Sequence, residues 1–228
     1  MSKSAARGSA TRSANMAARR ERILNAARKI IAISGFDSLN LRELAVAAGV
    51  TVPTIYNLIG NKAALIEQLF DETITPFENL QYIASDSDPV ASPATFLESV
   101  VDTMRENENY YRAEFLARER LAEQGDAVAL AIHQRIIQIA VAACTQAQSA
   151  GLTAGELSAQ QLGLMIADHF LLAYRAWAHG NISLEIFSNR VMTGAYVCLA
   201  ADATPMYRDQ ILENLNALNS SNTVLPFK

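Results

Sequence analysis

Apolar residues recur three and four positions apart almost throughout the 228-residue chain, the period of a helix. Over residues 19–34, Ile23, Ala27, Ile30, Ile31 and Ser34 hold that spacing, with Arg19, Arg20, Arg22, Arg28 and Lys29 on other faces; Gly35 stops the run. Asn40 with Glu43 three positions on is a capping-box pattern that opens a short helix over 41–48, ended by Gly49. Thr51 caps a third helix with Val52 and Pro53 in its first turn, where proline is tolerated. Gly60 and Asn61 end it, and a longer helix begins near Lys62. The pattern then predicts helices from Ser92 to about Asn107, over 110–124, over 127–150, from the Ser158/Gln161 capping box to near Gly180, over 183–201, and from Pro205 onward. There is no alternation longer than a few residues and no internal repeat, so the fold class is all-α.

Two short helices joined by a tight turn at Gly49-Val50 form a helix-turn-helix, whose second helix enters the major groove of DNA. Leu44, Ala45, Ala48, Val50 and Ile55 are the apolar residues able to lock the pair together. That leaves Thr51, Val52, Pro53, Thr54, Tyr56 and Asn57 as the groove face. Thr54 and Asn57 suit base edges or phosphates, and Val52 and Pro53 suit thymine methyl groups. Tyr56, Lys62 and Arg42 suit phosphates. The second helix carries no Arg for a bidentate guanine contact, so backbone contacts and DNA shape are expected to supply much of the selectivity.

Charge supports this division. The formal net charge is −4, yet residues 1–75 hold 10 Lys/Arg against 6 Asp/Glu, while residues 76–228 hold 9 against 17. A basic head on an acidic body fits a DNA reader with a separate second domain. The first 18 residues are Ser-, Ala- and Arg-rich, a composition shared by transit peptides and by flexible basic arms, of which the arm is the expectation. Either Met1 or Met16 can be the start. Cys144 and Cys198 form no CxxC pair, so neither a disulfide framework nor a zinc site is expected, and a reducing cytoplasm fits. Every long apolar stretch is interrupted by polar residues, so no membrane span is expected.

The stretch from Asn40 to Phe70 resembles the N-terminal domain of the TetR family of bacterial repressors: a polar cap (Asn40), an LRELA helix (residues 41–45), Ala48-Gly49-Val50 at the turn, then Tyr56, Lys62 and Leu65. Residues 20–41, with their Gly-Phe connection, resemble that family's first helix. The resemblance covers about residues 19–70. Two positions depart from it: Ile59 stands where an aromatic is usual, and Pro53 where glycine is frequent, so base preference does not carry over. The resemblance implies a three-helix DNA-binding domain followed by a larger helical domain that binds an effector and dimerises. The expected division is a flexible arm at 1–18, the DNA-binding domain at 19–65, the effector and dimerisation domain at 66–218 and a flexible tail at 219–228.

For the body, the helix over 158–179 is apolar nearly all round, which calls for cover on most sides. With the helix over 184–201 it is expected to form a four-helix interface with a second copy, through Leu164, Asp168, Leu171, Leu172, Arg175, Phe187, Val191, Gly194, Ala195 and Cys198. Asp168 and Arg175, two turns apart, read as an interface or core pair. The expected effector pocket draws on Met104, Tyr111, Phe115, Arg118, His133, Ile137, Cys144, Met165, His169, Tyr174 and Trp177, with Tyr110 a further candidate. Such a lining suits a small apolar or amphipathic organic molecule. For His133 a core residue with a satisfied partner is the favoured reading over a ligand contact.

The expected function is therefore a ligand-responsive repressor on a palindromic double-stranded operator, acting as a homodimer without cofactor; the alternative is a ligand-independent binder or an activator of the same fold. His133, His169 and His179 show no metal spacing, and there is no GxSxG, no Walker loop and no strand-linked GxGxxG, so neither catalysis nor a metal site is expected.

Overall fold

The computed structural model describes residues 3–79 and 91–221. Among them are α1 (Lys3–Ser34), α2 (Leu41–Ala48), α3 (Val52–Leu58), α4 (Lys62–Asn79), α5 (Ala91–Glu106), α6 (Glu108–Glu123), α7 (Ala127–Ser149), α8 (Ala159–Ala178), α9 (Leu184–Ala200) and α10 (Pro205–Ser221). The only pairing of β type among these residues is an isolated bridge between Thr153 and Ala203. The fold is all-α.

Local chemistry sets most helix starts. Ser158 and Gln161 complete the reciprocal capping box of α8, and Asp126 and Ser183 cap α7 and α9 by accepting from Ala129 and Ile186 N–H. Asn40 caps α2 from one side only: its Oδ1 accepts from the Arg42 N–H at 2.8 Å, and the return bond expected of Glu43 is not made. The largest departure is at the N-terminus. Helix α1 already runs from Lys3, so the segment 1–18, expected to be a flexible arm, is helical from its third residue. Its repeated alanines have the highest helix propensity and extend the amphipathic helix over 19–34. At the other end, α10 continues to Ser221, three residues into the expected tail; the rest of that tail lies outside the described residues.

Two apolar cores organise the molecule. The head core joins Ile23, Leu24, Ala27 and Ile31 of α1 to Leu44, Ala45 and Ala48 of α2, Ile55 of α3, and Leu65 and Leu69 of α4. The body core is built mainly from α5, α8, α9 and α10 around Trp177, Phe187 and Tyr207, each fully buried. A smaller cluster of Phe70, Ile74 and Ile132 sits where α4 meets α7. Helix α4 thus belongs to the head core and to this junction cluster, and the expected boundary at 65/66 falls inside it. Tyr110, expected as a pocket residue, instead joins the head core from the start of α6.

Helices α7 and α8 approach closely because α8 carries Gly163, where a Cβ would stand 2.5 Å from the Val141 backbone. Contrary to expectation, α7 is long and apolar enough to cross a membrane, with a mean hydropathy of 1.6. In this structure it packs against α8, α4 and α6.

Candidate DNA-reading head and body cavity

The turn between α2 and α3 is fixed by backbone geometry. Gly49 adopts φ 63°, a left-handed conformation that costs a side-chain-bearing residue about 1–2 kcal/mol. There the Gly49 N–H donates to the Val46 carbonyl at 3.2 Å, and Val50 N–H to that of Ala45 at 3.0 Å. Thr51 then returns the chain to an extended conformation and accepts from the Thr54 N–H at 3.3 Å, starting α3. Ile55 is fully buried under α3 and orients it. Thr51, Pro53, Tyr56 and Asn57 consequently face outward, with Val52 and Thr54 beside them, both half-buried. Arg42 is exposed at the start of α2. Lys62 is half-buried: its Nζ lies 5.9 Å above the Phe36 ring and donates to the Asp37 carbonyl at 3.4 Å, which ties the start of α4 to the loop after α1. Ile59 is buried in the head core, so the missing aromatic there is a packing difference.

Polar contacts hold α4 against its neighbours. Arg28 of α1 pairs with Glu72, and Arg20 reaches the Gln68 side chain at 3.0 Å. Burial raises the Glu72 carboxyl pKa above its ordinary range, with Arg28 opposing. From the body side, Arg135 of α7 bonds Asp71 at 2.7 Å and Glu78 at 2.6 Å. Hydrogen bonding to Arg135 holds the Glu78 carboxyl below its ordinary range. Arg120 of α6 pairs with Asp37, and the Tyr110 hydroxyl lies 3.5 Å from Thr73 Oγ1.

Thr73 leads directly to a cavity of about 90 Å³ in the body. Its wall comprises Thr73 and Ile74 of α4, Leu97, Val100 and Met104 of α5, Tyr111, Glu114 and Arg118 of α6, Ile136, Ile139, Ala140, Ala143 and Cys144 of α7, Ile166, Ala167, Phe170 and Tyr174 of α8, and Ala195 and Leu199 of α9. Of the residues expected there, Met104, Tyr111, Arg118, Cys144 and Tyr174 are on the wall. Phe115 and Trp177 are not: they pack behind Tyr174 in the body core, with ring centroids 4.3 and 5.6 Å from it. His133 and Ile137 are off the wall because the apolar stripe of α7 passes through Ile136 and Ile139, about one position round the helix. Met165 faces out and is 62% exposed. His169 lies against Gly194 of α9, its Nε2 2.9 Å from the Arg190 carbonyl oxygen.

Among the cavity residues that the sequence reading missed, Glu114 is the charged one. Glu114 is 2% exposed; its Oε1 accepts from Arg118 Nε at 3.2 Å, and its buried Oε2 has no hydrogen-bond partner among the described residues. Burial pushes its pKa up, opposed by the adjacent guanidinium. The signal in the sequence is its place one turn before Arg118, where an oppositely charged residue meets it on a helix face. Burial, with nearby Cys198 adding to it, pushes the Cys144 thiol up to about 12, so it is not a nucleophile at neutral pH.

The expected interface residues divide in two. Leu164, Asp168, Leu172 and Arg175 lie on the outer side of α8, with Leu171 and Cys198 half-buried. Leu172 is 68% exposed, and Met165 and Val197, outside the expected set, are exposed as well. Phe187, Val191 and Ala195 instead face the body core, and Gly194 provides the space that the His169 ring occupies, so these four are intramolecular packing. Arg175 bonds Glu119 of α6 at 3.0 Å and does not pair with Asp168. Among the described residues no group of three or more His, Cys, Asp or Glu could hold a metal ion.

Residues 23–69 match the family model described as bacterial regulatory proteins, tetR family. The fold is similar to that of SmeT, the repressor of the Stenotrophomonas maltophilia multidrug efflux pump SmeDEF (TM-score 0.66, 18% identity, covering 82% of this chain and 91% of that one). It is similar too to the fatty acid degradation regulator FadR from Bacillus halodurans (TM-score 0.64, 18% identity, 79% and 94%). A third similar structure is a TetR-family regulator from Rhodococcus sp. (TM-score 0.62, 19% identity, 80% and 99%). No curated protein matches the chain in sequence.

Proposed function

We propose that the chain is a TetR-family regulator, a homodimeric, cytoplasmic repressor released from a palindromic operator by a small organic effector; the family-model match over residues 23–69 and the likeness of the fold to that of such regulators support this reading. The observation that carries this reading is the course of α4. One end holds the head core through Leu65 and Leu69, and the other lines the cavity through Thr73 and Ile74. A molecule that displaces Thr73 and Ile74 moves the helix on which the DNA-reading face is mounted.

Helix α3, with Tyr56 and Asn57 outward, enters the major groove, and Arg42 and Lys62 reach phosphates on either side. The exposed apolar residues Leu164, Leu172 and Val197 of α8 and α9 are covered by the same face of a second copy. Two heads then stand on one two-fold axis and read half-sites about 34–36 Å apart, or a multiple of that. An effector favouring a differently spaced pair of heads lowers operator affinity, typically by about 5- to 150-fold. The cavity wall suits an apolar or amphipathic compound in that role.

The test is selection of double-stranded DNA from a random pool by the purified protein. The expected product is an inverted repeat, lost on Tyr56→Ala/Asn57→Ala substitution with the fold intact by circular dichroism. Recovery of unenriched DNA overturns the reading.

A further inference from the structure

We infer that the effector carries an uncharged hydrogen-bond donor, a hydroxyl or an amide N–H, that binds Glu114 Oε2; this rests on the cavity being the effector site. The wall of the chamber is otherwise almost wholly apolar, with Ile136, Ile139, Phe170 and Leu199 among its residues. A carboxylate oxygen buried there without a partner is costly unless something donates to it. Arg118 satisfies only Oε1, at 3.2 Å, and Oε2 is left free of any hydrogen bond among the described residues.

Charge narrows the class. Glu114 and Arg118 make a buried pair with no net charge. An ammonium or carboxylate on the ligand leaves one charge unbalanced in a chamber whose walls cannot solvate it. A neutral donor satisfies Oε2 and keeps the balance. The rest of the ligand is apolar, to match the wall. Glu114 is therefore the specificity-determining residue: the apolar wall accepts many shapes, and Oε2 selects those with a donor.

Hexan-1-ol and 1-methoxypentane are isomers that differ in whether the oxygen can donate, which makes them a matched pair of probes; hexanoate and hexylammonium supply the two charged arms. Binding to the full-length protein is followed by calorimetry and by fluorescence of the single tryptophan, Trp177, 5.6 Å from the cavity residue Tyr174. The expected result is that hexan-1-ol binds about tenfold or more tighter than 1-methoxypentane, a difference of about 1.4 kcal/mol. In Glu114→Leu/Arg118→Met the two isomers bind equally. That variant removes both charges together, a change buried pairs usually tolerate, and thermal unfolding checks its fold. Equal binding of the isomers to the wild type overturns the proposal while leaving the cavity as effector site. Tighter binding of hexanoate or hexylammonium overturns it in favour of a charged head group. No binding by any of the four overturns the cavity reading itself, without touching the DNA-binding one.

Discussion

Single side chains in this protein act through close, directional contacts. At Gly163 a Cβ would stand 2.5 Å from the Val141 backbone, which cannot yield as a flexible side chain does. Gly163→Ala is expected to destabilise the fold by about 1–3 kcal/mol, measured by urea denaturation. On the DNA face the two kinds of contact separate by their salt dependence. Arg42→Gln should weaken binding to all sequences and lower the slope of log affinity against log salt by about one. Asn57→Ala should cost about 1–3 kcal/mol on the preferred sequence and leave that slope unchanged. Fluorescence anisotropy over a salt series reads both. At this scale legibility is uneven. Ile55 as the buried anchor of α3 and Tyr56 as an outward residue follow from helical spacing beside a glycine turn. The i, i+4 spacing of Glu114 and Arg118 is visible in the sequence but its burial is not, because such pairs ordinarily lie on the surface, and only the tertiary packing of α4 to α9 around it makes Glu114 part of a chamber wall.

Among the helices, α4 has the decisive position. Arg28 and Arg20 hold it from the head side and Arg135 from the body side. Arg135→Met is expected to leave the fold intact and lower operator affinity several-fold, because α4 loses its fixed register on α7. The bridge is also sensitive to acid. Hydrogen bonding to Arg135 holds the folded-state Glu78 carboxyl below its ordinary value of 4.5. A group whose folded pKa is depressed stabilises the fold fully above its unfolded value and loses that contribution as pH falls through the folded one. The difference in Tm between the wild type and Glu78→Gln should therefore be constant at neutral pH and close as the solution is acidified below about pH 4.5. The helices that can be placed from the sequence are those with local signals: α2 and α3 by Asn40, Gly49 and Thr51, α8 by its Ser158/Gln161 box. The start of α1 cannot be, since alanine-rich sequence continues a helix as readily as it forms a loose arm. The cavity stripe of α7 cannot be either, because most faces of that helix are apolar and only its neighbours decide which one turns inward.

Across the whole molecule the division into a basic head and an acidic body is legible from charge alone, but the boundary is not, because α4 runs through it. Of the expected dimer face, Leu164 and Leu172 are open to a partner, while Phe187, Val191 and Ala195 belong to the chain's own core. Sequence periodicity cannot tell a face covered by that core from one left open. Leu172→Lys adds a charge to the open face without entering the core and should shift the protein toward monomer by sedimentation while leaving its unfolding temperature within a few degrees. Its operator affinity should fall, because a lone head keeps only half the contacts. The most direct measurement of the central claim is reciprocal: affinity for the selected operator with and without saturating hexan-1-ol, and affinity for hexan-1-ol with and without operator. Coupling through α4 predicts that each weakens the other by the same factor, between about 5 and 150. Hexan-1-ol that fills the cavity and leaves operator affinity unchanged would contradict it.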